Sequence, residues 1–419
     1  MQRIIAAAIL AAALCAQTAQ AQGGPVGPGE PLTLARALEL AGASAPTAEA
    51  AAAGIRAAEA QRRVAGLRPN PIIGLEAENV AGTGPYSGVE SAEATASLSL
   101  PIELGGKRSA RIGIADAEAR RAALAARIAD ADLTQRVTLA FNELSAAELR
   151  AAIVREQAGF AEEGLRVARV RVRAGRASPL EEQRAEVARL NAITASDRAE
   201  RFARLARANL SRLIGRDPGV VDTTWFDGVG GSGPRQTPSP DGTLALAAAG
   251  ADVALTDAQV RLARSQRIGD LTVSAGARRL EATNDVAAVV GVSIPLPLFN
   301  SGQAAVDAAR AERDRAAALA RTARLEAEHA IAAAENDLAN AEANARNAAG
   351  PALAAAQEAA RIARIGYREG KFGQLDLLEA ERTLAETRGA AIDALAAYHE
   401  AEARLTRLTT AAPITKDQP

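Results

Sequence analysis

The feature that most constrains this chain is that it is written twice. The segment SLSLPIELGGKRSARIGIADAEARRAALAAR from Ser97 lines up with GVSIPLPLFNSGQAAVDAARAERDRAAALAR from Gly291. Pro101 matches Pro295, and Gly106 matches Gly302 after two extra residues in the second copy. Further on, Gly175 pairs with Gly370, Leu180 with Leu375 and Glu186 with Glu381, all at an offset of 195. A period this long is not a solenoid repeat. It marks two structural halves, residues 48–214 and 243–410, joined by a linker at 215–242. An N-terminal segment (22–47) precedes them, and a short tail (411–419) closes the chain.

Each half has the same internal order. A helical stretch opens it, at 48–66 and at 243–266. Two short runs of period two come next, at 72–80 and 93–100 in the first half and at 271–280 and 286–295 in the second. Ile73, Leu75 and Ala77 alternate with Gly74, Glu76 and Glu78, and Leu271, Val273 and Ala275 with Thr272, Ser274 and Gly276. One greasy face and one wet face is the pattern of a transmembrane barrel strand, and equally of a half-buried sheet in a soluble domain. Each strand pair leads into a hairpin of long helices, at 107–213 and 302–408. Leu133, Val137, Ala140 and Leu144 step by 4, 3 and 4, the spacing of a coiled-coil seam. Gly350-Pro351 interrupts the second hairpin, where a kink is expected. Four strands cannot close a barrel, and they leave edges that lipid does not tolerate. The physical solution is oligomerisation: three copies would give about twelve strands and a matching helical tube.

Composition agrees. Aromatics make up only 2% of residues although 48% are hydrophobic, which suits closely packed Ala-rich helices. With 49 Lys+Arg against 50 Asp+Glu, the chain has no basic excess, and a nucleic-acid partner is not expected. Residues 1–21 combine Arg3, an apolar run from Ile4 to Cys15 and an A-x-A site at Ala19-Gln20-Ala21, so they read as a secretory signal peptide. Leu14 before Cys15 is not the small residue that a lipidation cysteine needs. Trp225 and Phe226 inside the linker suggest that part of it packs on the helices. No nucleophile elbow or phosphate loop is found, so neither an enzyme nor a cofactor is expected. His329 and His399 each have an acid one helical turn away, Glu326 and Glu402, but nothing in the sequence brings the two together.

Several runs resemble the TolC family of outer-membrane efflux factors: LRPNP at Leu67, SLPIELGGKR at Ser99, SIPLPLFNSGQ at Ser293 and YREGKFGQLDLLEAERTL at Tyr367. The first two are most similar to its CzcC-like heavy-metal efflux branch. The resemblance implies a mainly α fold with a small β part, a trimeric twelve-stranded β-barrel in the outer membrane of a Gram-negative bacterium, continued by a periplasmic α-helical barrel. It implies a passive exit duct for divalent heavy-metal cations, fed by an inner-membrane pump of the RND type through a periplasmic adaptor, with outer-membrane lipid around the strands. A multidrug or type I protein-secretion channel, and a periplasmic coiled-coil adaptor or scaffold, stand as alternatives.

The same resemblance places the hairpin turns at Gly175 and Gly370 at the periplasmic tip. Asp376 and Glu379 then occupy the family's acidic pore constriction, although acids near a helix N-terminus are also ordinary dipole partners. Tyr367 resembles the tyrosine that bonds to an acid of the other hairpin, here Glu181, as a gate contact at the tip. The arginine expected two residues past the second turn glycine is Phe372. Arg173 and Arg176 lie close to the first tip, where basic residues could steer an adaptor.

Overall fold

The computed structural model describes residues 31–230, 239–369 and 371–413. The expected signal peptide with Cys15, the turn residue Gly370 and the tail from 414 onward lie outside the described residues.

Local chemistry sets most element boundaries. Helix α1 (Leu34–Ser44), in the N-terminal segment, was not expected; it opens on Thr33, whose Oγ1 accepts a hydrogen bond from Arg36 N. Helix α2 (Pro46–Ala65) takes proline at its first turn, where no N–H is needed. Strand β1 (Ile72–Glu78) stops two residues short of the expected 80, because Asn79 turns into the left-handed region at φ 55°. Strand β2 (Glu93–Ile102) runs slightly longer than expected. Helix α3 (Lys107–Arg173) has 67 residues, roughly 100 Å at about 1.5 Å each. Helix α4 (Pro179–Ile214) returns, and α5 (Leu244–Ser265), opened by the Thr243 hydroxyl, begins the second half. Strands β3 (Leu271–Leu280) and β4 (Asp285–Ser293) come next, with Asn284 at φ 56° in the turn between them. Strand β4 ends at Ser293 rather than 295, just before Pro295, which has no N–H to give the ladder.

Helix α6 (Gln303–Asn347) runs into a π-helical turn, Ala348–Ala352, and continues as α7 (Leu353–Arg368). Gly350 there adopts ψ −106°, and Pro351 lacks the N–H of a regular helix, so the interruption is a π-bulge with one non-helical residue. Helix α8 (Gln374–Leu408) closes the second hairpin. Among the described residues, no helix is long and apolar enough to cross a membrane.

The four strands form one antiparallel sheet in the order β1-β2-β3-β4. The central β2–β3 pair, with Ala96 opposite Ala277, fuses the two halves. The sheet is inverted relative to a soluble domain. Its small and polar side is the more covered one, while the greasy residues stand free: Ile73 is 77% exposed, Leu75 81% and Val290 83%.

At the helix-side end of the sheet a corner turns strand into helix. Gly105 and Gly106 take φ of 69° and 74°, and a Cβ on Gly105 would lie 2.8 Å from the Ser265 carbonyl. Beyond them, Arg108 Nε donates to the Gly66 carbonyl at 2.6 Å, and Arg111 Nη2 to the Leu67 carbonyl at 3.2 Å. Arg111 also grips Glu103, and Lys107 Nζ lies 2.7 Å from Asp270 Oδ1. In the second half Gly302, at φ 70°, stands at the same place before α6.

Three hydrophobic clusters hold the helices among the described residues, the smallest being Ala356 and Ala360 of α7 against Leu384 of α8. Leu133, Val137, Ala140 and Leu144, the expected seam, are all buried, with Ala206, Leu210 and Ile214 of α4 and Ala37 and Ala41 of α1. The second cluster gathers Phe226, Leu338, Ala345, Ile392, Leu395 and Tyr398. Here the linker is clipped to α8. Phe226 is fully buried, its carbonyl accepts from His399 Nε2 at 2.9 Å, and Trp225 stacks on the His399 ring at 4.0 Å between centroids. Gly230 N donates to the Tyr398 hydroxyl at 2.9 Å. The aromatic pair in the linker is therefore its anchor.

Two outcomes are expected. Phe226→Ala should leave a cavity costing about 3–5 kcal/mol, seen as a lowered unfolding midpoint by circular dichroism in detergent. Hydrogen bonds from Arg111 hold the Glu103 carboxyl below its ordinary value of 4.5. A depressed carboxyl stabilises the fold above that value, and the contribution is lost as pH falls through the lower folded-state value. Glu103→Gln should thus flatten the acid limb of the stability profile below about pH 4.5, with little added change at neutral pH beyond a constant offset.

Candidate functional site at the hairpin tips

The two helical hairpins lie side by side through α3 and α8. Arg150 Nε donates to Asp393 Oδ1 at 2.8 Å, Arg388 Nη1 to Glu156 Oε2 at 2.9 Å, and Asn142 Nδ2 to the Ala396 carbonyl at 2.9 Å. Both hairpins turn at the same end. At each turn the backbone closes in the same way: Arg176 N donates to the Arg171 carbonyl at 2.8 Å, and Lys371 N, 195 residues on, donates to the Gly366 carbonyl at 2.8 Å. Gly175 supplies the positive φ of the first turn, 68°.

One clasp is shared by both tips. Arg169 Nη2 reaches Glu186 Oε2 across the first hairpin at 3.5 Å, and Arg364 Nη2 reaches Glu381 Oε2 across the second at 2.7 Å. The arginines and the acids are each 195 residues apart. The Glu381 hydrogen bond raises the Arg364 pKa above its ordinary value. Sequence reasoning matched the two glutamates as repeats but missed their arginine partners; the signal was an Arg and a Glu 17 residues apart in both copies.

The tips differ at the next positions. In the first, Arg171 Nη1 lies 3.4 Å from Glu181 Oε1. In the second, the place of Arg171 is taken by Gly366 and that of Glu181 by Asp376. With no side chain at Gly366, the Phe372 ring lies on its backbone: a Cβ there would come within 2.1 Å of Phe372 Cδ2. Asp376 is released from that ion pairing, and its Oδ2 accepts from Gly373 N at 2.9 Å, capping α8. Glu379, one turn further on the same side, is exposed and 3.1 Å from Arg382 Nη2. Tyr367 is half-buried, and among the described residues no hydrogen bond joins it to Glu181. The structure therefore brings Asp376 and Glu379 together on one helix face, and does not join Tyr367 to Glu181 within a protomer.

The remaining candidates lie away from the tips. His399 is buried under Trp225 in the linker joint, whereas His329 is exposed on α6. Among the described residues, no three His, Cys, Asp or Glu side chains gather as a metal would require.

The sequence matches the Outer membrane efflux protein family model twice, over residues 37–216 and 242–411. The chain belongs to the outer membrane efflux protein family. Its relatives include the cobalt-zinc-cadmium resistance protein CzcC of Cupriavidus metallidurans, 31% identical over 396 residues, covering 92% of each chain. The nickel-cobalt-cadmium resistance protein NccC of Alcaligenes xylosoxydans xylosoxydans is 32% identical over 69% of this chain and 66% of its own. Among solved structures, the outer-membrane channel OprN shares the fold with a TM-score of 0.72 at 21% identity, over 90% of both chains. This efflux protein is an outer-membrane channel component with a large periplasmic helical part.

The two closures predict a local test. Gly366→Ala should expel the Phe372 ring and speed tryptic cleavage at Lys371 severalfold. The double variant with Phe372→Ala should cleave at the rate of Phe372→Ala alone, because the glycine matters only while the ring covers it.

Proposed function

We propose that this efflux protein is the homotrimeric exit duct of a tripartite system that expels divalent heavy-metal cations. One observation carries the assembly: the greasy side of a four-stranded sheet is its exposed side, and both edge strands, β1 and β4, lack an outer neighbour among the described residues. In hydrocarbon such edges must be paired, and three copies provide twelve strands in a closed barrel. The cargo reading rests on the relatives, whose names specify resistance to cobalt, zinc, cadmium and nickel. A periplasmic adaptor and an RND-type inner-membrane pump complete the path, the adaptor seating on the tips around the turns at Gly175 and Gly370.

Within the duct, Asp376 and Glu379 form the constriction. Threefold symmetry makes them two stacked carboxylate rings, which favour cations. Asp376 serves the ring and the helix cap at once, since a carboxylate that accepts one backbone N–H keeps further lone pairs for the lumen. Glu181 and Tyr367 act as gate contacts between hairpins of adjacent protomers, the Arg171 pair being what Glu181 exchanges on opening.

The test is genetic and electrical. The intact chain, expressed in a strain lacking its own heavy-metal exit duct, should restore growth on zinc, cobalt or cadmium. Recovery of detergent or dye tolerance without metal tolerance would favour the multidrug reading instead. In planar bilayers the Asp376→Asn/Glu379→Gln trimer should lose cation preference severalfold while still conducting; asparagine retains the cap.

A further inference from the structure

At the end of the sheet farthest from the helices, one arginine spans three strands. Arg278 of β3 sits opposite Thr95 of β2, and Glu93 of β2 sits opposite Glu78 of β1. From that position Arg278 Nε donates to Thr95 Oγ1 at 2.9 Å and Nη1 to Glu93 Oε2 at 2.7 Å. Its Nη2 stands 2.8 Å from Glu78 Oε2, a charge contact rather than an aligned hydrogen bond. Thr95 is buried beneath the guanidinium. Glu76, next but one to Glu78 on β1, shares this face and is exposed.

The side on which these groups stand is fixed by alternation. Leu75, Ala77, Ala94, Ala96, Ala275 and Ala277 occupy the other, greasy face, so Arg278 and its carboxylates face the lumen. Their height is fixed by connectivity: residues 79–92 and 281–284 join the strands at this end, while the helices leave from the other. The cluster therefore lies at the outward mouth, at the opposite end of the molecule from Asp376 and Glu379.

Resting on the channel reading above, we propose that Arg278, Glu78 and Glu93 form a mixed-charge collar that sets the ion selectivity of the outward mouth. Each protomer contributes two carboxylates and one guanidinium, hence six and three in the trimer. Arg278 offsets part of the acidic field and holds two of its sources in fixed positions. The collar remains net negative, so it passes cations outward while the trapped guanidiniums prevent a deep well that would retain them. Binding strong enough to admit an ion but too weak to hold it is what conduction requires.

The experiment is reversal potential across a potassium chloride gradient, with purified trimers in planar bilayers. Arg278→Gln should raise the cation-to-anion permeability ratio severalfold, and Glu93→Gln and Glu78→Gln should each lower it. Each shift should be large near 0.1 M salt, where the screening length is about 10 Å, and largely vanish near 1 M, where it is about 3 Å. A wild-type trimer that never conducts would sink the channel reading and this one together. Conducting wild type with unchanged ratios in the variants overturns the collar alone. A lowered trimer melting temperature without a selectivity shift does the same, because it would make Arg278 a structural staple only. Should Arg278→Gln fail to assemble, the two glutamate variants, which retain the guanidinium, decide the question.

Discussion

The structure depends on a sheet that is apolar on its exposed side and, among the described residues, unpaired at both edges. Ile73, Leu75, Val290 and Val292 stand on the exposed side, where water would penalise them and hydrocarbon would not. The same hydrocarbon makes the free N–H and C=O groups along β1 and β4 intolerable, since no water is present to satisfy them. The proposed trimer reconciles the two, because further copies of the chain pair the edges and leave the apolar face outside.

Below the sheet the constraint changes from closing a barrel to extending it, and the corner at 103–111 makes the conversion. Two consecutive left-handed glycines redirect the chain, and Lys107, Arg108 and Arg111 at once tie the new helix to Asp270, Gly66 and Leu67. The runs LRPNP and PIELGGKR, which carry the resemblance to efflux channels, are thereby explained: they meet in space across the corner. These three cations each take a partner from another element, so strand tilt and helix direction are fixed together.

The sequence exposed whatever repeats along the chain and hid whatever is made by contact across it. Period two, the Leu133–Leu144 seam and the 195-residue offset are one-dimensional signals, and they located the strands and the hairpins. Boundaries slipped where a single backbone choice decides, as at Asn79 with its positive φ and at Pro295 with its missing donor. Helix α1 escaped notice although Leu34, Leu38 and Ala41, at spacings of 4 and 3, line the face that packs into the first cluster. The clasp of Arg169 with Glu186 was half visible, since both residues repeat at the same offset but arginines are common along these helices. The Arg278 cluster joins groups 185 residues apart, and only strand register brings them together.

Duplication and later divergence also explain why the two tips are unlike. Both retain the Arg–Glu clasp and the same backbone closure, because both hairpins must turn without fraying. At the next positions the first hairpin keeps Arg171 and holds Glu181 in an ion pair, which neutralises the acid. In the second, loss of a side chain at Gly366 lets Phe372 seal the turn by apolar contact instead. The acid at the equivalent place, Asp376, then has a glycine where the first hairpin has a guanidinium and is satisfied by one backbone N–H, with Glu379 exposed one turn above it. Exchanging an ion pair for an aromatic contact therefore leaves Asp376 without the guanidinium that faces Glu181, while Glu379 keeps Arg382 beside it.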